Sequence, residues 1–208
     1  SEFDDDLNVC DAIGADQLRG HHVVDGIDQG FVRGGVVFTS FDRDDTLLVF
    51  AELYPKGWII ERYALGIAVT NARYRNGTKA EREWALPYLP EAVAQGWITD
   101  EQSAEYAGLL NAPYEREVMY VIDPSARNRS LINADNVEAA LQRCGIFAIP
   151  GQNSLEAGAF QLKRRVARRP HAALVVARNC VNWLWERGRW KRKPTDDGSF
   201  AVVPGNDH

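Results

Sequence analysis

The run Val118-Met119-Tyr120-Val121-Ile122 ends abruptly in Asp123, and Pro124 follows at once. Unbroken apolar and β-favouring residues over this length predict a buried strand over 118–123, and proline stops a strand because it has no N–H to donate. Asp123 is thereby held at the carboxyl end of a strand, where open α/β sheets place their ligands. A second copy of the arrangement lies near the start, in His22-Val23-Val24-Asp25-Gly26-Ile27-Asp28. If the two strands are neighbours, two close carboxylates are costly unless a cation neutralises them. The competing reading for either aspartate alone is an ordinary turn cap; matching strand ends favour a metal site.

The rest of the pattern says what kind of sheet this is. Strands are expected over 22–28, 35–40 and 46–54, separated by short polar turns, which indicates an antiparallel meander. Helices are expected around 58–75, 79–95 and 100–110. After strand 118–123, Asp135 to Glu138 reads as a capping box opening a helix that Gly145 ends. A strand at 146–149, a helix from about 153 to 169, a strand at 172–176 and a helix from 179 to 187 follow, then an irregular tail. Strand–helix–strand repeats call for parallel strands. The expected class is therefore α/β with a mixed sheet, three antiparallel strands then parallel ones, flanked by helices. That is the element order of the ribonuclease H-like fold, in which the first and fourth strands lie side by side.

Composition excludes several classes. The chain has 208 residues, enough for one domain with a real core, and no apolar stretch reaches the roughly 18 residues of a membrane span. Its three cysteines, Cys10, Cys144 and Cys180, suggest neither a disulfide framework nor a zinc ribbon. Net charge is −5, but acids crowd the start while residues 163–193 are strongly basic. A charge run is usually a solvated face. Here it also carries Trp183, Trp185 and Trp190, so it reads as a polyanion-binding surface, with Lys163, Arg164, Arg168, Arg189, Lys191 and Arg192 as phosphate contacts. Adjacent His21 and His22 should face opposite ways and make a poor metal pair. Asp25 should point away from Asp28 by strand alternation. The tryptophans, Trp58, Trp84, Trp97, Trp183 and Trp185, are expected to pack helices onto the sheet, and Gly34-Gly35 to form a turn.

With these residues in place, the chain resembles the C-terminal nuclease domain of the large terminase subunit of tailed bacteriophages. Gly26-Ile27-Asp28-Gln29-Gly30 resembles the family's first-strand motif, although proline often stands where this chain has Gln29. Val121-Ile122-Asp123-Pro124-Ser125 resembles its second acidic motif. Cys180 to Glu186, then Trp190, is similar to the helix and aromatic segment near the family's end, and Asn206-Asp207-His208 to the start of its last motif. The match runs from about residue 20 to the end, with residues 1–20 as a joining segment or cloning remnant and 21–208 as the nuclease domain.

The resemblance implies an endonuclease that cuts double-stranded viral DNA during genome packaging, using two Mg²⁺ or Mn²⁺ ions. Asp28 would bridge them, Asp123 would be a terminal ligand, and Asp207 and His208 would belong to the same corner of the site. A third catalytic aspartate of the family is expected beyond His208. No Gly-x-x-x-x-Gly-Lys-Ser/Thr sequence occurs, so the packaging ATPase would be a separate domain of the full-length protein. Portal and small terminase subunit are the implied partners, with no membrane, and the implied location is the cytoplasm of the infected host. Two rivals stay open: a catalytically silent DNA-binding or docking module, and another ribonuclease H-like nuclease such as a junction resolvase or a transposase core.

Overall fold

The structure, a computed structural model, describes residues 3–29, 34–127, 136–152, 155–166, 173–187, 192–194 and 200–202. In chain order the elements are α1 (Asp5–Asn8), β1 (Val9–Cys10), β2 (His22–Gln29), β3 (Gly34–Phe41), β4 (Leu47–Leu53), α2 (Ile60–Arg73), β5 (Asn76–Gly77), α3 (Lys79–Ala94), α4 (Asp100–Asn111), β6 (Arg116–Ile122), α5 (Val137–Arg143), β7 (Ala148–Pro150), α6 (Leu155–Val166), β8 (Leu174–Ala177), α7 (Val181–Arg187), β9 (Arg192–Pro194) and β10 (Phe200–Val202). Short 3-10 turns lie at Ala15–Leu18 and Pro124–Arg127.

Most of these strands form one mixed sheet in the order β1-β8-β4-β3-β2-β6-β5, with β7 also on β6. The β2–β3 and β3–β4 pairs are antiparallel; β6 runs parallel to β2, and β7 parallel to β6. This is the expected ribonuclease H-like arrangement, with the first and fourth long strands side by side. The position of β8 departs from a simple succession: it lies at the other side of the meander, parallel to β4. Between β7 and β8 the chain therefore passes from one side of the sheet to the other, and α6 already meets Asp45 and Phe41 through Arg165. The tail, expected to be irregular, contains an antiparallel pair of short strands, β9 and β10.

Burial alternates along the central strands as a sheet with one dry face requires. On β3, residues 34, 36, 38 and 40 are buried while 35, 37, 39 and 41 are partly open. The dry face packs on α2 and α5, with Val23, Ile27, Phe38, Phe50, Tyr63, Ile67, Tyr120 and Leu141 in one core. Helix α2 is apolar on a second side too. There Leu65, Val69 and Ala72 meet Ala85, Leu89 and Leu110 of α3 and α4 in a smaller core.

Local signals account for the helix boundaries. Thr78 and Glu81 form a reciprocal capping box at α3, and Thr99 and Gln102 another at α4. The cap of α5 is Asn136, whose Oδ1 accepts the Ala139 amide at 2.7 Å. The sequence had suggested Asp135, which lies outside the described residues. Gly145 ends α5 at φ +76°, and a Cβ there would sit 2.3 Å from the Ala80 carbonyl oxygen, so only glycine fits.

Residues 3–20, read above as a joining segment, are anchored to the sheet. β1 pairs with β8, the Asn8 side-chain Nδ2 donates to the Leu174 carbonyl at 2.8 Å, and Leu18 is fully buried. Among the described residues no helix is long and apolar enough to cross a membrane, and the three cysteines are free thiols.

Candidate metal centre at the ends of two paired strands

β2 and β6 are in register from Val23↔Val118 to Ile27↔Ile122, and the Asp123 amide continues the ladder by donating to the Ile27 carbonyl at 3.2 Å. Asp28 and Asp123 are therefore the next residues along two paired parallel strands. Both stand where the strands end, on the face opposite α2. The Asp28 carboxyl is pushed above the usual range by partial desolvation, then by Asp123, then by Glu186. A carboxylate pair of this kind offers hard oxygen donors, the set that Mg²⁺ and Mn²⁺ prefer. The residues present thus fit a divalent cation on charge and donor type. Among the described residues no three His, Cys, Asp or Glu side chains stand together at metal-ligand spacing, so the described centre is a pair.

Backbone and ring contacts hold this pair in place. The Ser125 amide donates to Asp123 Oδ1 at 2.7 Å, and the Ala126 amide to the Asp123 carbonyl at 3.0 Å. Asp123 thus caps the 3-10 turn as well as ending β6, so the turn-cap and metal-site readings describe one residue. Across β2, Gly35 is the direct partner of Asp28. The Tyr63 hydroxyl, buried beneath, donates to the Gly35 carbonyl at 2.8 Å and stands 3.4 Å from that of Asp28. Gly34 and Gly35, expected in a turn, are strand residues that extend the meander to the site.

Glu186 is the acid that sequence reasoning missed. It lies on α7, and its carboxylate accepts a short hydrogen bond from the Tyr54 hydroxyl. The Tyr54 ring lies against Gly35, the strand partner of Asp28. α7 is fixed from the other side by Glu52 of β4. Glu52 accepts the Asn182 amide at 2.7 Å, the Asn182 side chain at 2.8 Å and the Trp183 amide at 2.9 Å. A carboxylate at a helix start is stabilised by the exposed amides there. Three bonds between residues some 130 positions apart leave no local trace, so nothing in the sequence marked them.

Asp25 occupies the opposite, dry face and is fully buried. Its Oδ2 accepts from Asn71 Nδ2 at 2.8 Å; that amide also lies 3.1 Å from the Tyr120 hydroxyl, which donates to Glu81. Burial pushes the Asp25 carboxyl up to about 8, against the opposing Asn71 bond. Glu81 is likewise pushed up to about 8 by burial, opposed by the Thr78 amide and reinforced by Asp25. Burial favours the protonated form of both acids, and nothing aims them at Asp28.

The basic segment is less free than its composition suggests. Arg165 pairs with Asp45 at 3.1 Å, Arg187 with Asp5 at 3.1 Å and stacks on Phe3, and Arg178 meets Asp11 at 3.7 Å. Acids from the start of the chain thus offset part of the basic stretch. Lys163 and Arg164 remain exposed on α6. Arg168, Arg189, Lys191, Asp207, His208 and Trp190 lie outside the described residues, as does the Arg192 side chain. His21 faces the Ser40 hydroxyl at 3.1 Å while His22 is exposed, so they form no pair. Trp84 and Trp183 pack on the main core, and Trp97 on the smaller one. Trp58 stacks under Arg62. Trp185 departs from expectation: it is 47% exposed.

No protein-family model matches the sequence, and no curated protein sequence matches it. Solved structures do match in shape. The P22 large terminase nuclease domain superposes with a TM-score of 0.58 at 12% identity, over 99% of this chain and 84% of that one. The large terminase of the thermophilic bacteriophage D6E, in complex with ATP-gamma-S, gives a TM-score of 0.57 at 14% identity over 99% of this chain. The chain spans 41% of the length of that D6E protein. At such low identity the likeness is one of fold. The chain has the ribonuclease H-like fold of large-terminase nuclease domains.

Proposed function

We propose that this domain is a divalent-metal-dependent endonuclease that cuts double-stranded DNA, the nuclease part of a large terminase acting in viral genome packaging. The observation that carries the reading is the adjacency of Asp28 and Asp123 at the ends of two strands paired in register. The fold shared with large-terminase nuclease domains supports it.

Asp28 and Asp123 would hold the cations, two Mg²⁺ or Mn²⁺ ions. Mg²⁺ or Mn²⁺ bound there supplies Lewis-acid activation of water and of the phosphodiester. The protein's own part is to keep the carboxylates converged. Ser125 orients one oxygen of Asp123, and Tyr63 ties the end of β2 to β3. Glu186 adds negative potential beside Asp28 and is kept in place by Tyr54. Lys163 and Arg164 contribute phosphate contacts, together with Arg168, Arg189, Lys191 and Arg192. Asp207 and His208 complete the site by resemblance. The ATPase domain of the same full-length protein, the portal and the small terminase subunit are its partners, in the host cytoplasm.

Calorimetric titration with Mn²⁺, beside nicking of supercoiled plasmid, tests the reading. Binding at a defined stoichiometry that Asp28→Asn and Asp123→Asn each abolish is the expected result. Absence of Mn²⁺ binding and of nicking would reduce the domain to a silent DNA-binding or docking module, whereas cleavage that survives both substitutions would remove Asp28 and Asp123 as the metal site.

A further inference from the structure

Beside the aspartate pair lies an open cleft of about 420 Å³, lined by Tyr54, Pro55, Lys56, Asn182, Trp185 and Glu186. We propose that this cleft receives one unpaired nucleotide of the DNA, its base stacked on Trp185 and a phosphate at Lys56. The inference rests on the nuclease reading of Asp28 and Asp123 and adds the form of the substrate: a strand locally separated from its complement where it is cut.

Position comes first. Tyr54 lies against Gly35, the strand partner of Asp28, and its hydroxyl is bonded to Glu186, whose charge is felt at Asp28. The cleft therefore opens on the Asp28 side of the acid pair, on the same face of the sheet. Its volume falls at the lower end of the range for small-ligand sites, about 300–1,000 Å³. That is room for a single nucleotide.

The chemistry of the lining agrees. Trp185 is 47% exposed, although its neighbours Trp183 and Leu184 pack on the core. An indole left half open at a cleft mouth offers a stacking face that every base can use, whatever the sequence. Pro55 lends an apolar wall. Lys56 is exposed and, among the described residues, makes no ion pair, which leaves its ammonium for a phosphate. The Asn182 amide is engaged by Glu52 and does not compete for base edges. An aromatic face and a cation, with the Asn182 side chain taken up by Glu52, favour binding that depends little on sequence.

The platform is also held rigidly. Glu52 fixes the start of α7 through three hydrogen bonds, and Tyr54 fixes Glu186 next to Trp185. Stacking on a prepositioned ring loses less conformational freedom than stacking on a mobile one.

Fluorescence anisotropy in Ca²⁺ with the intact 208-residue chain tests the proposal. The probes are a fluorescein-labelled fork with one unpaired arm, the same fork with abasic residues in that arm, and a blunt duplex. Trp185→Ala should weaken binding of the normal fork by about 5- to 100-fold and leave the abasic fork and the blunt duplex unchanged. Trp185→Phe, which keeps an aromatic face, should restore most of the loss. Lys56→Ala should weaken the normal and abasic forks alike. Equal weakening of fork and duplex by Trp185→Ala would mark Trp185 as a structural residue of α7, and no change on any probe would also overturn the proposal. The outcome is separable from the nuclease reading. Fork binding is measured without cleavage, whereas Asp28→Asn and Asp123→Asn report on cleavage and Mn²⁺ binding.

Discussion

Asp25 and Asp28 stand three positions apart on one strand and are chemical opposites. Asp28 faces the open side of the sheet beside Asp123, where a raised pKa reflects partial desolvation and the company of two other acids. Asp25 faces the dry side, where burial alone dominates and its only described hydrogen bond comes from an amide. Each rise in pKa means that the ionised form is disfavoured, but the remedies differ. At Asp28 a cation can relieve the excess charge from the solvent side. At Asp25 no ion has access, so a proton stays. The contrast is one of access: a perturbed carboxyl can serve as a site only where something can reach it.

The sharpest way to break this contrast is to neutralise each residue in turn and measure cleavage. Asp28→Asn should lower Mn²⁺-dependent nicking by about a thousandfold or more while leaving the circular dichroism spectrum unchanged, the scale of effect seen when a group central to catalysis is lost. Asp25→Asn should cut nicking by no more than a few-fold. Equal losses would mean that the two faces of β2 are coupled in a way the contacts do not reveal.

Stability against pH sharpens the comparison further. The Asp25 carboxyl titrates near 3.8 when exposed and near 8 in the fold. Between those values the folded state keeps a proton that the unfolded chain has lost, so stability is full below about pH 4 and falls as pH rises to about 8. One such group accounts for at most about 1.4 kcal/mol per pH unit. Glu81 acts in the same direction. Asp25→Asn preserves an acceptor for Asn71 and removes one titration, so urea unfolding at pH 5, 6.5 and 8 should show a shallower decline than in the parent. Identical declines would mean that Asp25 is ionised in the fold.

Smaller effects concern what surrounds the open face. Glu52→Ala strips three bonds from the start of α7 and should cost about 1–3 kcal/mol in thermal or urea unfolding, with lower fork affinity if α7 then moves. On the basic surface, Lys163→Ala with Arg164→Ala should reduce the salt dependence of duplex binding by a slope of about 1–2, at roughly 0.9 per phosphate contact. An unchanged slope would make α6 a solvated face and shift the DNA path elsewhere.

The strand-end aspartates were legible because their signal is local. An apolar run, a carboxylate and a chain-breaking residue fit within nine positions, and alternation assigned opposite faces to Asp25 and Asp28. Helix starts at Thr78 and Thr99 were legible for the same reason, since a capping box spans four residues. The charge distribution misled in part because pairing is not local. Asp5 and Arg187 are remote in sequence and 3.1 Å apart in space, and Asp45 and Arg165 are equally close.

By itself, then, the sequence determined the order of strands and helices, the meander, and the places where carboxylates end strands, because each rests on periodicity and turn chemistry within a few residues. Tertiary structure alone decided that β8 joins β4, that Glu186 stands beside Asp28, that Asp25 and Glu81 share a buried network, and that Trp185 stays half open at a cleft. Those outcomes depend on which distant segments meet when the sheet closes over its core, and the covalent order of residues does not encode that contact locally.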